Sequence, residues 1–221
     1  VTAAPLHLAG ERLMLDPSGV LVWPEERLLV VADLHLEKAT HFAARGQLLP
    51  PWDTAMTLDR LARVVRHWSP RTLVALGDSF HDGGGAARLG RADLDRLAAL
   101  ARGLSLVWVL GNHDPEPPEG IGGDAVLEMT IGKLTFRHDP VSGARGEIAG
   151  HLHPKASVAT RGATVTRPCF VADGNRVVLP AFGAFTGGLD VRDVAIKRLF
   201  PGGARAFLLG KERLFSFSTR Q

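Results

Sequence analysis

The chain alternates between short apolar runs and abrupt polar breaks, and four of the breaks share one design. Leu28 to Ala32 runs into Asp33-Leu34-His35, and Leu73 to Leu76 into Gly77-Asp78. Leu104 to Leu110 runs into Gly111-Asn112-His113-Asp114, and Ile148-Ala149 into Gly150-His151-Leu152-His153. Unbroken apolar runs bounded by glycine read as strands buried on both faces. Each break therefore predicts a strand whose carboxyl end delivers Asp, Asn or His.

Helical spacing separates these runs. Leu36 to Gly46 predicts a short helix closed by glycine. Asp53 is expected to cap a second helix, with Leu58, Leu61, Val64, Val65 and Trp68 on one stripe and Arg60, Arg63 and Arg66 on the other face. Arg71 to Leu76 is a strand, Gly83-Gly84-Gly85 a flexible stretch, and Ala92 to Arg102 a helix with Leu94, Leu97, Ala98 and Ala101 inward. Ahead of them, Leu6 to Leu8, Arg12 to Leu15, Val20 to Trp23 and Leu28 to Ala32 read as hairpin strands. The alternation predicts an α/β fold with parallel strands, helices over one face and ligands beyond the carboxyl ends of the strands.

Beyond Asp114 the texture changes, for Pro115, Pro117 and Pro118 exclude a helix. Val126 to Ile131 and Leu134 to Arg137 predict a hairpin around Gly132-Lys133. Pro168 to Val171 and Arg176 to Leu179 predict another around Asp173-Gly174-Asn175, and Ala204 to Leu208 and Arg213 to Phe217 close the chain around Gly210-Lys211. Phe182 and Phe185, in a glycine-rich loop, are expected to be core anchors in preference to substrate platforms, His7 to be a surface or packing residue, His67 to sit at a helix end, and Cys169 to be an inert buried thiol. No repeat, low-complexity tract or linker interrupts residues 1–221, so a single domain is expected.

Composition changes this picture only a little. Hydrophobic residues at 45% and charged ones at 22% exclude a disordered chain. The apolar runs fall short of the roughly 20 residues that span a bilayer, and no basic segment precedes an apolar one at the start, so a soluble cytoplasmic protein with no membrane contact is expected. One cysteine permits no internal disulfide. The net charge is only +3, but the basic residues are mostly Arg, whose forked guanidinium suits phosphate oxygens. Coding bias accounts for that composition equally well.

The polar breaks carry the chemistry. Asp33, His35, Asp78, Asn112, His138, His151 and His153 are all expected on one edge of the sheet. Burying so many unpaired groups would cost several kcal/mol unless something bound them, and two divalent cations would do so. Nitrogen and oxygen donors without thiolate suit Mn²⁺ or Fe²⁺, or a catalytic Zn²⁺. Ions about 3.5 to 4 Å apart need a bridging ligand, and the Asp78 carboxylate on the central break is the candidate.

In this order, Asp33-Leu34-His35, Gly77-Asp78, Gly111-Asn112-His113-Asp114, His138 and Gly150-His151-Leu152-His153 resemble the motif set of the calcineurin-like metallophosphoesterases. The resemblance implies a four-layer αββα sandwich. It further implies Asp33, His35 and His153 on one metal, Asn112, His138 and His151 on the other, Asp78 between them, His113 at the phosphoryl or leaving group, and Asp114 holding His113. The implied reaction is in-line attack on phosphorus by a hydroxide bridging the two cations, with His113 protonating or polarising the leaving oxygen.

Longer stretches narrow the match. Asp33 to Lys38, Gly77 to Asp82, Asn112 to Pro115 and His138-Asp139-Pro140 resemble the bacterial ligase-associated DNA-damage-response endonucleases, the PdeM family, related to the SbcD nuclease. That resemblance implies Mn²⁺-dependent cleavage of DNA phosphodiesters in repair, beside an ATP-dependent DNA ligase and a helicase. Lys38, His41, His81, Arg137 and Arg145 lie near the motifs as candidate substrate contacts, with solvated helix or loop positions as the other reading. Two further classes compete. A small-molecule or nucleotide phosphatase could use the same metals, although the lipid A pathway hydrolases of this superfamily carry Arg where this chain has His113. A catalytically silent scaffold, like the retromer subunit of this fold, has degenerate metal positions, whereas each is filled here.

Overall fold

The computed structural model describes residues 2–116, 118 and 120–219; Pro117 lies outside them. Four strands open the chain as an antiparallel meander: β1 (Ala4–Leu8), β2 (Glu11–Leu15), β3 (Leu21–Trp23) and β4 (Leu28–Val31). After α1 (Lys38–Ala43) and α2 (Asp53–Trp68), β5 (Thr72–Leu76) pairs with β4 in parallel. After α3 (Gly85–Arg88) and α4 (Arg91–Ala101), β6 (Ser105–Val109) and then β7 (Asp124–Val126) continue in parallel. The result is a seven-stranded sheet in sequence order.

The second sheet holds β8 (Glu128–Ile131), β9 (Leu134–Arg137), β10 (Glu147–Ala149), β11 (Lys155–Ala159), β12 (Thr164–Ala172), β13 (Arg176–Val178), β14 (Arg205–Leu209) and β15 (Leu214–Ser218), with α5 (Val194–Leu199) packed outside it. In it β10 runs parallel to both β9 and β13, while the remaining pairs are antiparallel.

Strand alternation sorts the apolar side chains into layers. Val30, Val74 and Val107 of the first sheet face Phe136, Ile148 and Val177 of the second. Leu29, Val31 and Leu73 face the other way, onto Leu58 and Leu61 of α2 and Leu97 of α4. Beyond the second sheet, Val171 and Val178 pack on Ile196 and Phe200. Helices, sheet, sheet and helix make the α/β sandwich that the motifs imply.

Several boundaries differ from expectation. Val126 to Ile131 is not one strand, because the chain crosses from the first sheet to the second at Leu127. Asp53 is the first residue of α2 instead of its cap, since its carboxylate is drawn to the Ala39 N–H at 3.0 Å. The Gly83 to Gly85 stretch runs into the turn of α3, while β11 and α5, short and without a strong apolar period, escape pattern reading. Arg60 does not lie in solvent with Arg63 and Arg66; its guanidinium sits 3.7 Å over the Phe182 ring, in a cation–π contact. Cys169 is buried in β12 and its thiol is pushed up to about 12 by burial, so it is inert at neutral pH. No helix among the described residues is long and apolar enough to cross a membrane.

One buried ion pair fixes the loop that feeds the second sheet's carboxyl edge. Arg176 and Glu147 are 2% and 0% exposed, with Nη1 3.3 Å from Oε2. Arg176 Nη2 donates to the carbonyls of Val141 and Ala144 at 2.8 and 3.1 Å, and Glu147 accepts the Val141 N–H at 2.9 Å. Loop 139–146 is thereby tied to β10 and β13. Removing one partner of such a pair leaves a buried charge exposed to no compensation, so Arg176→Met is expected to lower unfolding free energy by about 3 kcal/mol, with partial recovery in Arg176→Met/Glu147→Gln. Urea unfolding of the two variants measures both effects.

Candidate metal centre

The parallel strands of both sheets aim their carboxyl ends at one edge, where Asp33 follows β4, Asp78 β5, Asn112 β6, His138 β9, and His151 and His153 β10. The backbone there is unusual. Asp33, His35, Asp78, His151 and His153 all take left-handed φ, between 43° and 69°. Such residues persist only where the surroundings hold them. Here the Asp33 N–H donates to Gly77 O at 3.2 Å, the His35 N–H to Asp78 O at 2.9 Å, and the His151 N–H to both Asp33 carboxylate oxygens at 3.1 and 3.2 Å. Glycine is required at two of the breaks. A Cβ at Gly77 would collide with the His138 ring, and one at Gly111 with the Asp78 backbone N and carboxylate.

The side chains gather into three sets, two of which share Asp78 while the third joins His35 to His81 and His113. Ligand atoms of Asp33, His35, Asp78 and His153 lie within 4.8 Å of one another, as do those of Asp78, His138 and His151. His35 Nε2 and His153 Nε2 are 3.2 Å apart, and His153 Nε2 is 3.3 Å from Asp33 Oδ1. On the other side, His138 Nε2 lies 3.0 Å from Asn112 Oδ1, 3.0 Å from His151 Nδ1 and 3.3 Å from Asp78 Oδ1.

The donor chemistry fits cations. His138 Nδ1 is 3.2 Å from the Leu76 carbonyl, which only accepts, so that nitrogen carries the proton. With a divalent ion bound the ring would be neutral and its Nε2 lone pair would converge with those of an amide oxygen, a carboxylate and another imidazole, a donor set that such an ion satisfies; otherwise the neighbouring acceptors favour a second proton on Nε2.

Without an ion, the electrostatics are strained in opposite directions. Burial, then the neighbouring His153, lower His35 to about 3. Burial, then Lys38 and His41, lower His81 to about 4. Burial alone would lower His138 too, but hydrogen bonding to Asp78 and the charge of Asp33 raise it to about 8. Asp78 is lowered to about 2, because its histidine partners and the His113 N–H outweigh burial.

His113 stands at the rim, with 41% of its side chain exposed and Nε2 4.0 Å from Asp78 Oδ2. Its Nδ1 donates to the His81 carbonyl at 2.9 Å, which fixes the tautomer and turns Nε2 toward the cluster. The implied grip of Asp114 on this imidazole is not the contact observed. Asp114 instead accepts backbone N–H groups of Ser79, Phe80 and Gly111 at 2.7, 3.1 and 3.1 Å, locking the two strand breaks together. Burial raises its carboxyl to about 6.

The other candidates separate. His81 comes to the centre: its Nδ1 is 3.3 Å from His35 Nδ1, and its ring stacks between Phe42 and His113 at 5.5 and 5.3 Å. His41 pairs with Asp82, which two Arg88 nitrogens also grip at 2.8 and 2.9 Å. Arg137 faces the centre's second side but is committed to Glu128 at 3.0 Å and Glu147 at 3.7 Å, which argues against a free steering charge. Arg145 is exposed. Lys38 donates to Phe185 O at 3.0 Å, and burial lowers its pKa. The pattern gave no hint of Arg88, Glu37 or Lys155. Glu37 is buried and accepts the Thr40 and Thr54 hydroxyls at 2.7 and 3.0 Å, fixing the turn after His35. Its place directly after the Asp-x-His break was the available signal.

Comparison with known proteins agrees with this geometry. A family model described as calcineurin-like phosphoesterase matches residues 26–162. Among solved structures, the Pseudomonas putida nuclease MPE superposes with a TM-score of 0.76 at 28% identity, covering 97% of this chain and 100% of that one. The E. coli phosphoesterase Yfce is 15% identical over 87% of this chain and 99% of its own, with a TM-score of 0.42. A predicted phosphoesterase from Streptococcus pneumoniae TIGR4 is 13% identical over 86% and 96%, with a TM-score of 0.33. No curated protein matches the chain.

The opposed shifts predict how the metal-free protein responds to acid. His35 and His81 are held below the ordinary 6.5, so the unfolded chain takes up their protons first, and their contribution is present above 6.5 and lost as pH falls toward the folded values. Asp114, raised from 3.8 to about 6, acts in the opposite sense with one proton against two. His138 is protonated in both states below 6.5 and adds no slope there. Chelator-treated protein is therefore expected to lose several degrees of Tm between pH 6.5 and 4.5, and His35→Asn to flatten that dependence. A parent Tm that rises on acidification over this range would contradict the assignment.

Proposed function

The chain belongs to the calcineurin-like phosphoesterases, a family matched over residues 26–162, and from that premise we propose that this metal-dependent phosphoesterase is a DNA endonuclease or phosphodiesterase acting in repair. The observation that carries the reading is the filled donor set around Asp78, with His113 at its rim, in a chain that aligns end to end with a structure described as a nuclease. We take residues 1–221 as one domain and the protein as cytoplasmic. The resemblance to the ligase-associated branch extends the proposal to work beside an ATP-dependent DNA ligase and a helicase.

In this reading Asp33, His35 and His153 hold one divalent cation, Asn112, His138 and His151 a second, and Asp78 both, with Mn²⁺ the preferred ion and Fe²⁺ or Zn²⁺ able to substitute. When bound, the pair supplies Lewis acidity to the phosphoryl oxygens and lowers the pKa of water. The residues do the rest. Asn112 and His138 orient one side of the phosphate-binding edge, with His138 kept in one tautomer by the Leu76 carbonyl. His113 keeps its Nδ1–H on the His81 carbonyl, so the ring presents Nε2 to the leaving oxygen and, as the imidazolium, would give up its second proton from there. Asp114 is a positioning residue: it anchors the backbone on either side of His113 without touching the imidazole.

The half-exposed His113 and the open rim suit a polymer better than a small ester in a closed pocket. A plasmid, a single-stranded oligonucleotide, a cyclic nucleotide and bis-p-nitrophenyl phosphate, each assayed with Mn²⁺, test the reading. Cleavage of DNA is expected. Asp78→Asn should abolish it, and His113→Ala should lower kcat on DNA by roughly a hundredfold or more while leaving metal content intact. Hydrolysis confined to phosphomonoesters would move the assignment to a phosphatase, and unchanged turnover in His113→Ala would remove the proton-donor role.

A further inference from the structure

The loop between β13 and α5 holds a residue that the cation-binding set does not use. Phe185 takes a left-handed backbone, φ +58°, while 45% of the residue stays exposed. A bulky side chain seldom adopts that conformation, and it persists only where its surroundings impose it. The loop ends supply the constraint. Gly183 is pressed onto the carbonyls of Leu34 and Asp33 so closely that no Cβ would fit, and its N–H donates to Asp33 O at 3.0 Å. Gly188 meets the His153 carbonyl in the same way.

Two lysines complete the clamp. Lys38 Nζ donates to Phe185 O at 3.0 Å and Lys155 Nζ to Thr186 O at 3.2 Å. Neither ammonium forms an ion pair among the described residues, and the Phe185 ring stacks on no other aromatic there. By contrast, the expectation of a core anchor holds for Phe182, which is fully buried under Arg60.

The Phe185 ring belongs to none of the apolar clusters among the described residues, yet its strained backbone sits in a loop whose two ends rest on the carbonyls of Asp33 and His153. A phenyl face flanked by unpaired cations is the chemistry that receives a nucleobase with its adjoining phosphates. Resting on the nuclease reading above, we infer that Phe185 is a stacking platform for an unpaired nucleobase next to the scissile phosphate, with Lys38 and Lys155 beside the neighbouring phosphates. A small ester would leave this platform empty.

The test compares a single-stranded oligodeoxynucleotide with the same strand carrying tetrahydrofuran abasic residues around the cleavage site, both with Mn²⁺. The parent is expected to favour the base-bearing strand by about tenfold in KM, Phe185→Gly to abolish that preference, and Phe185→Trp to keep it. The Tm of Phe185→Gly should equal or exceed that of the parent, because glycine accepts the left-handed backbone. An unchanged preference in Phe185→Gly overturns the platform, and so does a lowered Tm, which would make Phe185 a structural residue. If the parent cleaves neither strand, the nuclease reading fails by itself. Fluorescence anisotropy of the two strands on parent and Phe185→Gly then decides Phe185 without turnover, equal affinities overturning it and a loss confined to the base-bearing strand supporting it.

Discussion

Seven polar side chains are forced to share one edge of two sheets, and most of the structure can be understood as the means of holding them there. Two carboxylates, four imidazoles and an amide crowd within a few ångströms, five of them on left-handed backbone. Strain of that kind costs on the order of 1 to 3 kcal/mol at each residue. It survives because each strained residue directly follows a strand or turn anchored in a fully buried core. Val30 and Val31 precede Asp33, Ala75 and Leu76 precede Asp78, and Ile148 and Ala149 precede His151, all essentially without exposure. The sandwich supplies rigidity from two sides, and the edge uses it.

Asp78 is where the constraint concentrates. Its backbone carbonyl fixes His35, its Oδ1 accepts the His113 N–H at 2.9 Å, and its carboxylate belongs to both candidate ligand sets. It thus connects the first break to the third through the central strand of the parallel run. Asp114 performs the complementary task with backbone groups only, taking N–H donors from the second break and from its own. The two acids divide the work, Asp78 facing the imidazoles of both candidate ligand sets and Asp114 facing the chain. That division explains why burial can raise Asp114 to about 6 while Asp78 is lowered to about 2 only a short distance away.

Pattern reading recovered the strands that matter, because a strand buried on both faces must be apolar throughout and the change to Asp, Asn or His is then conspicuous. The antiparallel meander, α2 and α4 were legible for the same reason: alternation or a continuous stripe. What stayed hidden is what periodicity does not encode. The crossing at Leu127 between sheets leaves no signature, since Val126 and Met129 are apolar on either side of it. Arg60 reads as solvated by position on its helix, yet an aromatic ring from a distant loop covers it. The partner of Asp114 could not be read from its neighbour His113, because adjacency in sequence says nothing of which N–H groups the fold brings within reach. Phe185 lay in a glycine-rich loop whose conformation depends on contacts with Leu34 and His153 far away in the chain.

The rim of the edge is chemically asymmetric, and this bears on how a substrate lies across it. On the side of His138, Arg137 is neutralised by Glu128 and Glu147, and exposed Leu127 and Val141 flank it. Around His41, Asp82 absorbs Arg88 as well as the imidazole. At the loop that returns to Asp33 and His153, Lys38 and Lys155 form no ion pair among the described residues, and the Phe185 ring is exposed, while Arg45 on His41 and exposed Arg145 likewise have no carboxylate partner there. A uniformly basic groove would attract phosphates everywhere along its length and fix no register. Under the nuclease reading proposed above, a polyanion crossing the centre would meet cancelled charge at Arg137 and Arg88 and open charge at Lys38 and Lys155, so orientation would be built from where cations are cancelled as much as from where they are placed.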